Sequence, residues 1–272
     1  PRVTNSLHDH HTAEAFFVLS GKWRFFWGRW GDAGEVTLEE GDIINIPTGI
    51  FRGFENIGTD YGMIMAILGG DDAGGGVMWA PQVIENAAEH GLILGENGKL
   101  YDTKRQQKLP EGVAPMPLMS DEELAKRPEP TTADVLPNHV ARYWDLMALA
   151  DKKPAKVIGE NGILRDKPGF EVDFITRGSA TEAKHSHKSP SVLMPMRGHW
   201  KVTWDGGSST IAPGDTMSVL KTSPTPPSVN DRRGKPLSHC SHGRSRWADV
   251  ERLTRSLCTA VHTDCVQEVY AL

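Results

Sequence analysis

The alternation of apolar and polar residues predicts a chain built mostly of β-strands. Residues 170–175 alternate with period two, which is typical of a strand with one buried face. Residues 61–68 are almost continuously apolar, as in a strand that is buried on both faces. Glycine-rich and aspartate-rich turns separate further short strands, which we predict at 22–27, 35–38 and 156–159. The pattern therefore indicates an all-β fold.

Residues 77–155 follow a different pattern, in which short helical segments alternate with proline-rich pieces. A helix is predicted at 81–90, because Pro81 lies near its start and Gly91 follows its end. Ser120 and Glu123 have the spacing of a capping box, and another segment begins at Thr132 and is expected to run on to 149. We predict a partly helical linker at 77–155.

The second β region repeats the first. His8-x-His10 recurs as His185-x-His187, 177 residues later, counting from 8 to 185. At the same offset, residues 21–27 match 198–204 with glycine and two tryptophans in common. The Gly-Asp pair at 41–42 recurs at 214–215, an offset of 173, because the turn between them is shorter by four residues. We expect one domain at 1–76, with its N-terminus truncated or processed, and a second at 156–219.

Charge and hydropathy exclude several classes of partner. The 272 residues include 30 Lys and Arg against 35 Asp and Glu, for a net charge of −5, and no basic block stands out. A nucleic-acid partner is therefore not expected. The sequence has no apolar run of 18 residues and no signal-peptide pattern, so we expect no membrane partner and a cytoplasmic location. Nor is a nucleotide cofactor expected, because Gly74-Gly75-Gly76 lacks the lysine and helix of a phosphate-binding loop.

The stretch from His8 to Glu14 is a candidate metal site. Side chains alternate along a strand, so His8 and His10 lie on one side, and Glu14 has the same parity. His11 has the opposite parity and is expected to point outward. Imidazole and carboxylate ligands together suit Fe, Mn, Ni, Cu or Zn. The plainer interpretation is a polar loop before a strand.

Two stretches resemble the two motifs of the cupin superfamily. The first family motif combines His-x-His, a glutamate and a glycine, and it is matched by His8, His10, Glu14 and Gly21. The second combines a glycine, Pro-x-Gly, a histidine and an asparagine; its matches are Gly41, Pro47, Gly49 and Asn56. Arg52 stands where that motif has its last metal-binding histidine. Arginine has no lone pair to offer a metal, so this barrel would have at most three protein ligands.

The second copy departs from the motif in another way. Ser191 occupies the place of Glu14, which leaves His185 and His187 as its metal candidates. Ring-cleaving bicupin dioxygenases of the gentisate type use three histidines, but residues 220–227 contain no third histidine.

The resemblance implies two jelly-roll cupin barrels joined by the linker, and two kinds of function. The first is a metal-dependent dioxygenase that acts on a small aromatic or phenolic compound with O2. Its divalent metal, expected to be Fe(II), is held by His8, His10 and Glu14 or by the histidines of the second barrel, while Arg52 orients a substrate carboxylate. The alternative is a non-catalytic bicupin that binds a small ligand or serves a structural or oligomerisation role. In an empty barrel, Arg52 would neutralise Glu14 or an anionic ligand. Homo-oligomerisation is expected by analogy with the family.

The composition changes from about residue 220 onward. All three cysteines fall in the last 33 residues, and the apolar residues no longer alternate. One interpretation is a disordered extension or a small cysteine-bearing appendage. Back-translation read one nucleotide later can, however, give a sequence similar to residues 56–74, which is what the repeat requires at this point. We therefore hypothesise a frameshift in the tail.

Overall fold

The computed structural model describes residues 4–69, 76–165, 169–180, 189–204 and 207–219, together with the backbone of 257–263 and 270–271. The chain divides into two compact units. Unit 1 comprises Pro1–Val140 and Gln267–Leu272, and unit 2 comprises Ala141–Val266. Both units consist mostly of β-strands, as the sequence predicts.

Strands account for most of the regular secondary structure of the described chain. Unit 1 contains β1 (Thr4–Asp9), β2 (Glu14–Ser20), β3 (Lys22–Trp27), β4 (Gly34–Glu39), β5 (Ile43–Ile46), β6 (Arg52–Asn56), β7 (Met63–Leu68), β8 (Met78–Trp79), β9 (Leu92–Leu94) and β10 (Leu100–Asp102). The short strand β11 (Val140–Ala141) lies where the two units meet in the sequence. Unit 2 contains β12 (Ala155–Ile158), β13 (Phe170–Thr176), β14 (Ser191–Arg197), β15 (Trp200–Trp204), β16 (Gly207–Ile211), β17 (Met217–Val219) and β18 (Leu257–Thr263). The last strand, β19 (Tyr270–Ala271), belongs to unit 1.

Two sheets of unit 1 enclose its core. One sheet has the order β4-β3-β6-β1-β8, and the other includes the run β5-β2-β7-β19. Trp23, Phe25 and Trp27 take alternate positions on β3 and are buried, as period two requires. They form one hydrophobic cluster with residues of the second sheet, including Phe16 and Ile44. The two sheets therefore pack on a shared apolar core.

Helices of unit 1 follow the sequence prediction closely at their starts. Helix α1 (Pro81–Glu89) begins with its proline and is followed by Gly91 at a positive φ of 83°. Helix α2 (Asp121–Leu124) has the predicted capping box. A single 3-10 turn, Thr103–Arg105, lies between them. Within the described part of the chain, no helix is long and apolar enough to cross a membrane.

The helical segment predicted to run from Thr132 to residue 149 is interrupted in the structure. It forms two helices, α3 (Thr132–His139) in unit 1 and α4 (Tyr143–Leu149) in unit 2, with β11 between them. Pro137 lies inside α3 and has no amide hydrogen to donate, and the β-branched Val140 adopts an extended conformation with φ −124°. The prediction of one continuous segment was therefore wrong at this point.

Unit 2 has two sheets of its own, with the orders β12-β13-β18-β14-β17 and β15-β16. A small hydrophobic cluster holds their strands together; its buried members are Leu193, Trp200, Val202, Ile211 and Val219. Residues 220–256, where the hypothetical frameshift would begin, lie outside the described residues.

Strands at repeat-related positions pair in corresponding registers. In unit 1, β2 pairs with β5 through Glu14↔Ile46 and Phe16↔Ile44. In unit 2, β14 pairs with β17 through Ser191↔Val219 and Leu193↔Met217. The paired residues of β2 and β14 lie 177 positions apart, and those of β5 and β17 lie 173 positions apart, as in the sequence repeat. The turn glycines agree as well, because each pair has a positive φ: 86° and 71° for Gly21 and Gly198, 93° and 95° for Gly41 and Gly214.

Candidate metal centre

Three strands of unit 1 bring the candidate site residues together. His8 lies on β1 and His10 directly follows it, Glu14 begins β2, and Arg52 begins β6. His8 is the cross-strand partner of Arg52 in the β1–β6 ladder. All four side chains are buried, from 1% exposure for Arg52 to 7% for His10. His11 is exposed, as predicted, but it lies in the turn after β1, and Asp9, which has the same parity, is buried.

His8, His10 and Glu14 form a compact cluster. Each offers one ligand atom, and these three atoms lie within 4.8 Å of one another. The imidazole rings of His8 and His10 meet edge to face, with 4.9 Å between their centroids. Two imidazoles and one carboxylate on one side leave room for further ligands, which is the arrangement of non-haem Fe(II) oxygenases. The donor set therefore fits a divalent transition metal.

Both imidazoles have a nitrogen lone pair available. His8 Nδ1 lies 2.7 Å from the carbonyl oxygen of Ser6 and donates to it, so the neutral ring keeps its lone pair on Nε2. His10 Nδ1 is buried and has no hydrogen-bond partner among the described residues. Burial lowers the pKa of His10 to about 4, and burial also lowers the pKa of His8. At neutral pH both rings are uncharged, as metal ligands must be.

Arg52 connects the cluster to a second carboxylate. Its Nη2 donates to Glu14 Oε2 at 2.9 Å, and its Nη1 donates to Asp9 Oδ1 at the same distance. Glu14 Oε2 also lies 3.6 Å from His10 Nε2. Burial raises the pKa of Glu14, and the positive charge of Arg52 opposes that shift. The ion pair thus favours the charged carboxylate, which has lone pairs left for a second partner.

Asp9 and Arg127 extend this network, and sequence reasoning missed both. Asp9 is 1% exposed, and its Oδ2 accepts a hydrogen bond from Arg127 Nη1 at 2.7 Å. Arg127 also donates to the carbonyl oxygen of Gly49 at 3.1 Å, and its guanidinium lies 4.3 Å from the ring centroid of Phe51. Asp9 stands between the two histidines, which was an available signal, but no local pattern marks Arg127, 118 residues away.

A cleft lies beside the cluster. It has a volume of about 340 Å³ and is bordered by β8, α1 and the segment before α2. Trp79 lines it and lies 5.4 Å, ring to ring, from His8. Its other lining residues are Val77, Met78, Ile84, Leu94, Met116, Pro117, Leu118, Met119 and Glu123, of which only Glu123 is charged. The surroundings of the cluster are therefore largely apolar on this side.

The predicted second pair, His185 and His187, lies outside the described residues. Ser191 is described and takes the place of Glu14 at the start of β14. It is buried, with its hydroxyl 3.4 Å from the carbonyl oxygen of Ser189, to which it donates.

Comparisons with known proteins agree with this architecture. Residues 1–68 match the family model of the cupin domain. No curated protein matches the sequence. Among solved structures, a variant of the salicylate 1,2-dioxygenase of Pseudoaminobacter salicylatoxidans has a TM-score of 0.50 at 14% identity, covering 96% of this chain and 67% of that one. The oxalate decarboxylase of Lactobacillus farciminis, in a formate complex, has a TM-score of 0.46 at 15% identity, covering 100% and 76%. The chain therefore has the cupin jelly-roll fold, and its first 68 residues carry a cupin domain.

Proposed function

We propose that this protein is a metal-dependent dioxygenase of the cupin type, acting on a small aromatic or phenolic compound with O2. The observation that supports the proposal is the buried cluster of His8, His10 and Glu14, whose ligand atoms lie within 4.8 Å of one another. A bound Fe(II) would supply coordination sites for O2 and substrate and the redox chemistry that joins them. One structural neighbour is a salicylate dioxygenase, which suggests the class of compound to test first.

The residues of the cluster have separate roles in this proposal. His8 and His10 donate imidazole nitrogens, and Glu14 donates one carboxylate oxygen while the other accepts from Arg52. Arg52 stays the predicted catalytic residue. Because both of its terminal nitrogens already face carboxylates, it would orient Glu14 by its hydrogen bond and attract an anionic substrate by its charge. The cleft beside Trp79 would place mostly apolar side chains next to His8 on this side of the site.

Unit 2 is proposed to be a second cupin copy, which would make the chain a bicupin with His185 and His187 as its metal candidates. The corresponding registers of β2–β5 and β14–β17 support this proposal. A cytoplasmic location and a homo-oligomeric state belong to the same proposal.

Metal stoichiometry tests the function directly. Elemental mass spectrometry would be performed on the full chain without a histidine tag, beside His8→Ala and His185→Ala variants. We expect about one iron or manganese per chain, lost in the His8 variant. Oxygen uptake with a panel of phenolic acids then tests the reaction. If neither purification nor anaerobic Fe(II) loading gives bound metal, the enzymatic proposal is wrong.

A second candidate function is a non-catalytic bicupin that binds a small ligand. Arg52 favours it, because its guanidinium is 1% exposed and is already ion-paired with both Glu14 and Asp9. This alternative expects no stoichiometric metal in any preparation, so the same measurement separates the two functions.

The frameshift hypothesis has its own test. Tryptic peptides from the native source, analysed by mass spectrometry, should match the alternative reading frame after about residue 220. Peptides that match the printed tail would refute the hypothesis.

A further inference from the structure

The charges around the cluster balance without a metal ion. In the ion-pair network that includes Glu14, the described side chains are two carboxylates, Glu14 and Asp9, and two guanidiniums, Arg52 and Arg127. Arg52 bridges both carboxylates at 2.9 Å, and Arg127 reaches Asp9 at 2.7 Å. These four side chains form one connected set of ion pairs, with as many guanidiniums as carboxylates. The ion-paired network therefore has no excess of either charge.

Arg52 changes what a divalent ion would meet here. A histidine at this position would bring a neutral ligand, whereas arginine brings a positive charge that is 1% exposed. Its Nη2 donates to Glu14 Oε2, and Glu14 is one of the three residues of the cluster that would hold the metal. Water screens such a buried charge poorly, so a divalent cation added beside it leaves an excess of two positive charges. A bound anion would reduce this excess.

We propose that the site binds its metal ion and an anionic small molecule cooperatively, and that the buried charge of Arg52 is the cause. This inference rests on the proposed metal site and specifies the charge of its ligand: a carboxylate or phenolate rather than a neutral compound. The coupling is reciprocal, because the anion must raise the metal affinity by the same factor by which the metal raises the anion affinity. Couplings between sites commonly reach about 5-fold to 150-fold, and we expect at least about tenfold here.

Manganese titrations test the coupling. The full chain would be titrated with Mn(II), and free Mn(II) measured by electron paramagnetic resonance, alone and with saturating 2-hydroxybenzoate or its uncharged analogue 2-hydroxybenzamide. The two compounds have nearly the same shape and both carry oxygen donors, but only the first is an anion. We expect the acid to tighten Mn(II) binding about tenfold or more and the amide to change it less than about twofold.

Two substitutions isolate the charge of Arg52. Arg52→His removes the positive charge while Arg127 still pairs with Asp9, so Mn(II) should bind more tightly without an anion and the gain from the acid should shrink. Arg52→Lys keeps the charge and serves as the matched control, with the coupling retained. Near-UV circular dichroism checks that each variant is folded, and the comparison of acid with amide on the unaltered protein decides the question if a variant does not fold.

The outcomes distinguish a failure of the proposed cooperativity from a failure of the proposed metal-dependent function. Equal gains from acid and amide, or Mn(II) binding that the acid does not tighten, would overturn the cooperativity and leave the metal site standing. If Mn(II) does not bind under any of these conditions, the proposed metal-dependent function fails together with it.

Discussion

Glu14 in unit 1 and Ser191 in unit 2 begin corresponding strands but have different surroundings. Both are buried, and both pair with the last residue of the partner strand, Ile46 or Val219. Glu14 joins a network of charges, whereas Ser191 donates a long hydrogen bond of 3.4 Å to a nearby carbonyl. The strand register therefore does not depend on the chemistry of the first residue. A shared strand register and a metal-ligating residue at its first position are separate properties.

The largest difference in unfolding free energy between corresponding positions is expected for Glu14→Ser compared with Ser191→Ala. Glu14→Ser gives unit 1 the residue that unit 2 has at the corresponding position. The change leaves the buried Arg52 Nη2 without its carboxylate, and breaking such a pair commonly costs about 3 to 5 kcal/mol of unfolding free energy. It also removes one of three candidate metal ligands. Urea denaturation and metal titration measure the two effects. The matched control is Ser191→Ala, which removes a neutral hydroxyl rather than a charged partner of a buried ion pair and should cost about 1 kcal/mol.

Equal losses of unfolding free energy from Glu14→Ser and Ser191→Ala would contradict the expected difference between these two positions. Retention of full metal affinity by Glu14→Ser would exclude Glu14 as a ligand, whatever happened to the unfolding free energy.

The sequence predicted which candidate ligands would lie together, but not the charged side chains that contact them. His8, His10 and Glu14 follow from strand parity and from the family motif, and the structure brings them together. The interactions of Arg52 with Asp9 could not be predicted, because they join residues 43 positions apart across the β1–β6 ladder. A shift in register between Asn5 and His8 also lies in that ladder, and simple period-two counting does not anticipate such a shift.

Fold prediction shows a similar division between local and distant features. The predicted strand at 22–27 and the capping box of Ser120 depend on neighbouring residues, and both are confirmed. The break after α3 also has local causes in Pro137 and Val140, which the prediction of a continuous segment overlooked. Arg127 is different, since nothing near it in the sequence indicates that it reaches Asp9. Tertiary contacts between charged side chains were the part that patterns could not supply.

The tryptophans at corresponding positions, Trp27 and Trp204, should give a contrast of intermediate size. Trp27 is fully buried, and its Nε1 donates to the carbonyl oxygen of Pro130 at 2.8 Å. Trp27→Phe removes that bond and leaves a gap, for a loss of about 2 kcal/mol in unfolding free energy. Trp204 is only partly buried, so Trp204→Phe should cost about 0.5 kcal/mol or less. Urea titrations of both variants measure the difference, and a larger loss at Trp204 would reverse the expected order.

The smallest contrast is expected between two core positions, Phe16 and Leu193. They are related by the repeat and pair with Ile44 and Met217 respectively. Both are almost completely buried, at 1% and 0% exposure, so each substitution by alanine creates a cavity. Phe16→Ala should cost about 4 kcal/mol and Leu193→Ala about 3 kcal/mol, because phenylalanine loses more buried surface. Urea denaturation of the full chain measures both losses. If Leu193→Ala did not lower the unfolding free energy, the small hydrophobic cluster of unit 2 would not be a cooperative core. The two units would then resemble each other only in their strand pairing.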